Sequence, residues 1–226
     1  MFGCPRFLMY HSVSDDLTKS YKFSISNKEF KDQMLFLQKQ NFTFCSLDDL
    51  LDVNKKISNK SVFITFDDGH LDNYYNVFPV IKDLGIKINI YISQFCENFK
   101  LLSNDMIIEM HKSGLVAFGC HTLNHKNLTK LNKSEVFNEI SESKKKLEKL
   151  LPYKIKHFAY PYGIFNEDVV SVLKDLKIQT AVTTKKGIFS IKKIRNNLLE
   201  IPRINIKHDI NLYKFRFAML FGRYSF

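Results

Sequence analysis

Short unbroken apolar runs alternate along the chain with longer stretches in which apolar positions recur every three or four residues. The first run is Phe7-Leu-Met-Tyr10. The clearest is Ser61-Val-Phe-Ile-Thr-Phe66, continuous and rich in β-branched and aromatic side chains, the pattern of a strand buried on both faces. Residues 86–92, 115–119, 155–160, 178–183 and 201–206 read the same way. Between them the period changes. Phe30, Met34 and Leu37 have helical spacing and follow Ser26-Asn-Lys-Glu29, a capping-box pattern. A helix over 73–84 is predicted to stop at Gly85, with Pro79 marking either a kink or a late start. Further helices are predicted over 103–112, 132–151 and 166–176; the longest turns Val136, Ile140, Leu147 and Leu150 inward and its lysines outward.

Strands alternating with helices predict parallel β-α units, an α/β barrel or an open sheet. No internal repeat or linker divides the 226 residues, so residues 1–226 are expected to form one domain, with 209–226 as a final helix. Apolar residues at 45% and charged residues at 25% place the chain among ordinary globular proteins. A chain of this length can bury a core without disulfides. Cys4, Cys45, Cys96 and Cys120 form no CxxC pair and are expected to be reduced and mostly buried. The first residues lack the pattern of a secretory leader, and no apolar run reaches the ~18 residues of a membrane span, so a cytoplasmic location is expected.

The net charge of +11 comes largely from scattered lysines, such as Lys144-Lys145-Lys146 and Lys192-Lys193, and is read first as a solvated face. Charge of this sign also favours phosphorylated carriers or anionic lipid surfaces. No nucleic-acid-binding signature accompanies it, and nucleic acid is not expected as a partner. The segment 211–223 mixes aromatic and basic residues: a core-packing last helix is the favoured reading, and a peripheral contact with the inner face of a membrane the alternative.

The candidate chemistry sits at predicted strand ends. Asp67 and Asp68 follow the clearest strand and precede Gly69; they are either a turn or a pair of carboxylates, one for a metal and one free as a base. His121-Thr-Leu-Asn-His125 follows another strand, and histidines four apart share one face of a helical turn. With Asp68, His121 and His125 make three ligands, the number a catalytic metal site uses while keeping a position for water. Phe158-Ala-Tyr-Pro-Tyr-Gly163 alone reads as a strand-closing turn. Beside the other two motifs, its tyrosines could stack on a sugar and the Tyr162 amide could face the reacting centre.

Thr65-Phe-Asp-Asp-Gly69, His121-Thr-Leu-Asn-His125 and Tyr160-Pro-Tyr-Gly163, in this order, resemble the motifs of the polysaccharide deacetylase family, carbohydrate esterase family 4. Leu8-Met-Tyr-His-Ser12 and Ile201-Pro-Arg-Ile204 are similar to members from surface-polysaccharide biosynthesis. The resemblance implies a distorted (β/α) barrel, circularly permuted relative to commoner members. It implies a divalent metal, zinc, on Asp68, His121 and His125, with Asp67 as general base. The Tyr162 amide would stabilise the oxyanion, while Tyr160, Pro161 and Tyr162 would line the substrate. The general acid would be His11 on the first strand, as an imidazolium, in preference to His208. Where the family often has an arginine holding the catalytic Asp, this chain has Ala159, and Arg203 is expected to take over that role. The chain also has no Trp for the family's late Asp-Trp motif. The implied reaction is removal of acetate from an N-acetylated sugar, lipid- or phosphate-linked carriers included. The alternatives are a deformylase or another amide hydrolase, and a non-catalytic glycan-binding homologue.

Overall fold

The computed structural model describes residues 3–16, 22–97, 99–208 and 210–223. Its centre is a curled parallel sheet. Strands β1 (Arg6–Tyr10), β5 (Ser61–Phe66), β6 (Ile88–Ile92), β7 (Val116–Cys120), β8 (His157–Ala159) and β9 (Thr180–Val182) follow one another around it. Nearly every residue of these strands is buried, because the sheet packs on both faces. The two-residue strands β2 (Ser12–Val13) and β3 (Ser24–Ile25) pair only with each other. Strand β4 (Thr43–Phe44) pairs with the lower end of β5, while β6 takes the upper end. The Asn89 side chain fills the step between them, accepting from the Leu47 amide and donating to the Ile64 carbonyl.

The last strand, β10 (Ile204–Asn205), pairs with β1. Just before it, Ile201 bridges to Val182 of β9 and exchanges hydrogen bonds with Ala181 and Thr183. One segment of five residues thus links the two edges of the sheet and draws it into a distorted barrel. The fold expected from the alternating pattern is the fold observed.

The helices are α1 (Asn27–Lys39), α2 (Leu47–Leu51), α3 (Phe78–Leu84), α4 (Asn104–Lys112), α5 (Lys133–Leu150), α6 (Glu167–Asp175), α7 (Ile191–Asn196) and α8 (Leu212–Phe221). Ser26 and Glu29 form the expected capping box, and Phe30, Met34 and Leu37 are buried. Asn132 and Glu135 form another at the start of α5. The predicted helix over 73–84 is two pieces. A π turn, Asn73–Val77, leads into α3, whose first turn holds Pro79, so the proline marks a late start. Gly85 ends α3 in the left-handed conformation.

Helix α8 turns Phe215, Ala218 and Met219 into the core and leaves Tyr213, Leu220 and Phe221 outside. Its Met219 carbonyl accepts from Arg6 Nε on β1, which ties the chain end to the sheet. All four cysteines are free thiols; Cys45 and Cys120 are buried, Cys4 and Cys96 half-buried. Among the described residues no helix is long and apolar enough to cross a membrane.

Candidate active site

Because every strand runs the same way, residues just beyond the strand ends share one rim. Tyr10 pairs with Phe66, and Ile92 with Cys120. His11, Asp67, Asp68, His121 and Tyr160 each lie one or two residues past such an end. Loops on this rim carry the chemistry in parallel α/β barrels.

Asp68 is held in the left-handed region, at φ 71°, and is 3% exposed. Its Oδ1 lies 3.4 Å from His121 Nε2 and 3.4 Å from His125 Nε2. That oxygen is buried with no hydrogen-bond partner, an expensive arrangement for a carboxylate unless a cation answers it. His121 Nδ1 sits 2.7 Å from the Ala159 carbonyl and donates to it, which leaves the Nε2 lone pair facing Asp68. Bonds of about 2.1 Å to a tetrahedral ion give ligand-to-ligand edges of roughly 3.4 Å. The three groups fit a divalent cation in donor type and in the spacing of Asp68 from each imidazole, and His121 presents the tautomer such a site needs.

The route to this arrangement differs from the expected helical turn. Residues 121–125 form a bent loop in which Thr122 and His125 have φ of 69° and 51°, and the His125 amide donates to Thr122 Oγ1. Two left-handed residues fold the imidazoles together, their centroids 4.9 Å apart. The four-residue spacing thus brings the two rings together by a route other than helical periodicity.

Asp67 is paired with Arg203. Arg203 Nη1 and Nη2 donate to its two carboxylate oxygens at 2.6 and 2.7 Å, and the guanidinium also reaches Thr65 Oγ1 and the Thr183 carbonyl. Arg203 is completely buried. Burial alone would raise the Asp67 pKa, but the Arg203 charge and its hydrogen bonds outweigh it and hold the carboxyl below its ordinary range. Burial likewise opposes ionisation of Asp68, yet the adjoining His121 and the hydrogen bond to His70, with His11 nearby, push it well below that range. Arg203 takes the place the aromatic-proline motif leaves to Ala159.

His11 stands beside Asp67, since the Asp67 amide donates to the Tyr10 carbonyl, and Phe23 stacks on its ring at 4.6 Å. Burial lowers the His11 pKa to about 4, and Asp68 and Asp67 oppose that only in part. His208 is exposed, with its amide and ring both at the Lys22 carbonyl. Of the tyrosines, Tyr160 is buried, stacked on Phe165 at 4.5 Å, its hydroxyl donating to the Leu199 carbonyl. Pro161 is buried too, so neither presents a ring to a sugar. Tyr162 is open to solvent: it is 58% exposed and meets the His125 ring edge-on at 4.8 Å. Its backbone is left-handed, at φ 60°, and the turn's hydrogen bonds, from Gly163 to Tyr160 and from Ile164 to Pro161, do not use its amide.

One residue at this centre went unread in the sequence. His70 is 1% exposed, and its Nε2 lies 3.1 Å from Asp68 Oδ2. As a single histidine behind a glycine it carried no spacing signal.

The profile of the polysaccharide deacetylases matches residues 54–181, more than half of the chain and all three motifs. The chain belongs to the polysaccharide deacetylase family. It is 30% identical over 187 residues to YxkH of Bacillus subtilis (strain 168), provisionally named a polysaccharide deacetylase, covering 81% of this chain and 65% of that one. It is 29% identical over 219 residues to the poly-beta-1,6-N-acetyl-D-glucosamine N-deacetylase of Staphylococcus aureus (strain MRSA252), covering 90% of this chain and 73% of the other. The chain thus spans about two thirds to three quarters of these relatives. Among solved structures, the Streptococcus pyogenes deacetylase PplD, determined with acetate, superposes with a TM-score of 0.82 at 25% identity, over 95% of this chain and 97% of that one.

Proposed function

We propose that this family member hydrolyses the N-acetyl group of an N-acetylated sugar unit and releases acetate, using a divalent cation, zinc, held by Asp68, His121 and His125. The observation that carries the proposal is the buried Asp68 Oδ1, without a hydrogen-bond donor and equidistant from two imidazole nitrogens. The staphylococcal relative makes a chain of β-1,6-linked N-acetylglucosamine the first substrate to test.

When bound, such an ion supplies Lewis acidity, which lowers the pKa of water from about 15.7 toward 7 and polarises a carbonyl oxygen. Asp67, ionised and aimed by Arg203, takes a proton from the attacking water on a lone pair the guanidinium leaves open. The Tyr162 N–H donates to the amide oxygen as it gains charge, an interaction worth about 3 kcal/mol in the transition state. His11 in its imidazolium form protonates the leaving nitrogen and is left neutral, while Asp67 keeps the proton taken from water. Tyr162 offers its exposed ring to the sugar face.

The test uses a pair of variants. Asp67→Asn is expected to lower turnover by about 10²- to 10⁴-fold while the protein keeps its metal. His125→Ala is expected to lose both, with metal content read by elemental analysis. A near-normal rate in Asp67→Asn would remove Asp67 from the mechanism. Release of formate rather than acetate from matched substrates would redirect the proposal to a deformylase.

A further inference from the structure

His70 has no part in the three-ligand arrangement. Its Nε2 sits at the Asp68 oxygen that faces away from the His121 and His125 nitrogens. Cys96 joins this pair: Asp68, His70 and Cys96 each offer a ligand atom within 4.8 Å of the others. Asp68 and His70 are buried, Cys96 half-buried and reachable from solvent. Phe99 stacks on the His70 ring at 4.4 Å and fixes its plane. Carboxylate, imidazole and thiolate are together a donor set suited to a borderline-soft ion such as zinc.

We propose a second cation position, formed by Asp68 Oδ2, His70 and Cys96, which borders the first and fills when zinc is in excess. The edge between Asp68 and His70, 3.1 Å, is already near that of a tetrahedral zinc site. With Cys96 within 4.8 Å of the other two, at most about 1 Å of closure brings it to a normal ligand spacing. It lies outside any helix or strand, so this movement breaks no regular structure. Binding releases one proton to solvent, that of the Cys96 thiol, while the proton His70 Nε2 places on Asp68 moves to Nδ1 of the same ring and leaves Nε2 free to ligate. No electron transfer is involved. Since Asp68 would then bridge two positions, occupancy of the second draws charge from the carboxylate serving the first, and excess zinc inhibits. The inference does not depend on which acyl sugar the enzyme cleaves.

Cobalt(II) distinguishes the two positions, because a thiolate ligand adds a near-ultraviolet charge-transfer band that nitrogen and oxygen ligands do not. Titration of the reduced, metal-free chain is expected to give this band with the second equivalent of cobalt. The band persists in His125→Ala, which lacks the first position, and disappears in Cys96→Ser and in His70→Asn. In parallel, the zinc concentration that halves activity rises at least tenfold in Cys96→Ser. Absence of the band in the unmodified chain overturns the proposal without any variant having to fold. Its survival in Cys96→Ser does so too, by assigning it to another cysteine. A first equivalent that fails to bind while the band still appears would instead refute the Asp68, His121 and His125 assignment.

Discussion

A fully buried guanidinium donating to both oxygens of a buried carboxylate is a costly pair to break. Arg203→Met leaves Asp67 with burial as the dominant influence, which favours the protonated acid. Its pKa then rises, and because protonated Asp67 cannot accept a proton, the acid limb of the rate profile moves to higher pH. Unfolding by urea is expected to show a loss of about 3–5 kcal/mol, the usual result of orphaning one buried partner. Recovery of the pH profile, but not of full stability, in Arg203→Lys would separate charge from forked geometry. This residue was legible only through Asp67: an arginine in the strand-like segment 201–206 was needed once Ala159 failed to supply one. Tyr160 shows the opposite limit. It differs from Tyr162 in nothing the sequence displays, and only the fold reveals that one ring lies against Phe165 while the other faces solvent.

At the level of single elements, the turn carrying Tyr162 depends on its neighbour. Gly163 has φ 71°, and a Cβ there would lie 2.1 Å from Thr184 Oγ1 and 2.5 Å from the Thr184 nitrogen. Gly163→Ala therefore has to displace the turn and the Tyr162 amide with it. A fall in kcat of about 10- to 100-fold is expected, in line with the loss of part of one oxyanion donor, with metal content unchanged. The end of α5 gives a separate test. Glu148 receives Lys144, Lys154 and the Ile155 amide. Burial raises its pKa, but these partners together bring it below the usual value. A carboxyl depressed on folding contributes stability above the ordinary range of about 4.3 and loses it as pH falls through the lower folded value. Urea midpoints of the parent and Glu148→Gln are thus expected to differ at neutral pH and to converge in acid.

Long elements announced themselves, since α1, α5 and α6 each run for two turns or more and repeat their apolar face. Helices α2 and α7 did not: five and six residues are too few to establish a period. The pairs β2–β3 and β4 were hidden for the same reason, with two residues each. The π turn at Asn73 was read as ordinary helix. Its purpose appears only in three dimensions, where the Asn73 side chain donates to the His11 carbonyl.

For the molecule as a whole, the alternation of strand and helix was enough to give a parallel barrel, but not the means of its closure. Shortening the chain to residue 210 removes the buried Phe215 and Met219 of α8 and the hydrogen bond to Arg6. At about 1.5–3 kcal/mol for each large side chain, a loss of roughly 3–6 kcal/mol is expected, read as a lower urea midpoint with the metal centre still assembled. Cutting further back, before Ile201, has a different consequence. The strand that seams β9 to β1 is also the one that brings Arg203 to Asp67. If Asp67 is the proton acceptor proposed above, a polypeptide that has gathered Asp68, His121 and His125 is still inert until the final stave drops into place and Arg203 reaches that carboxylate.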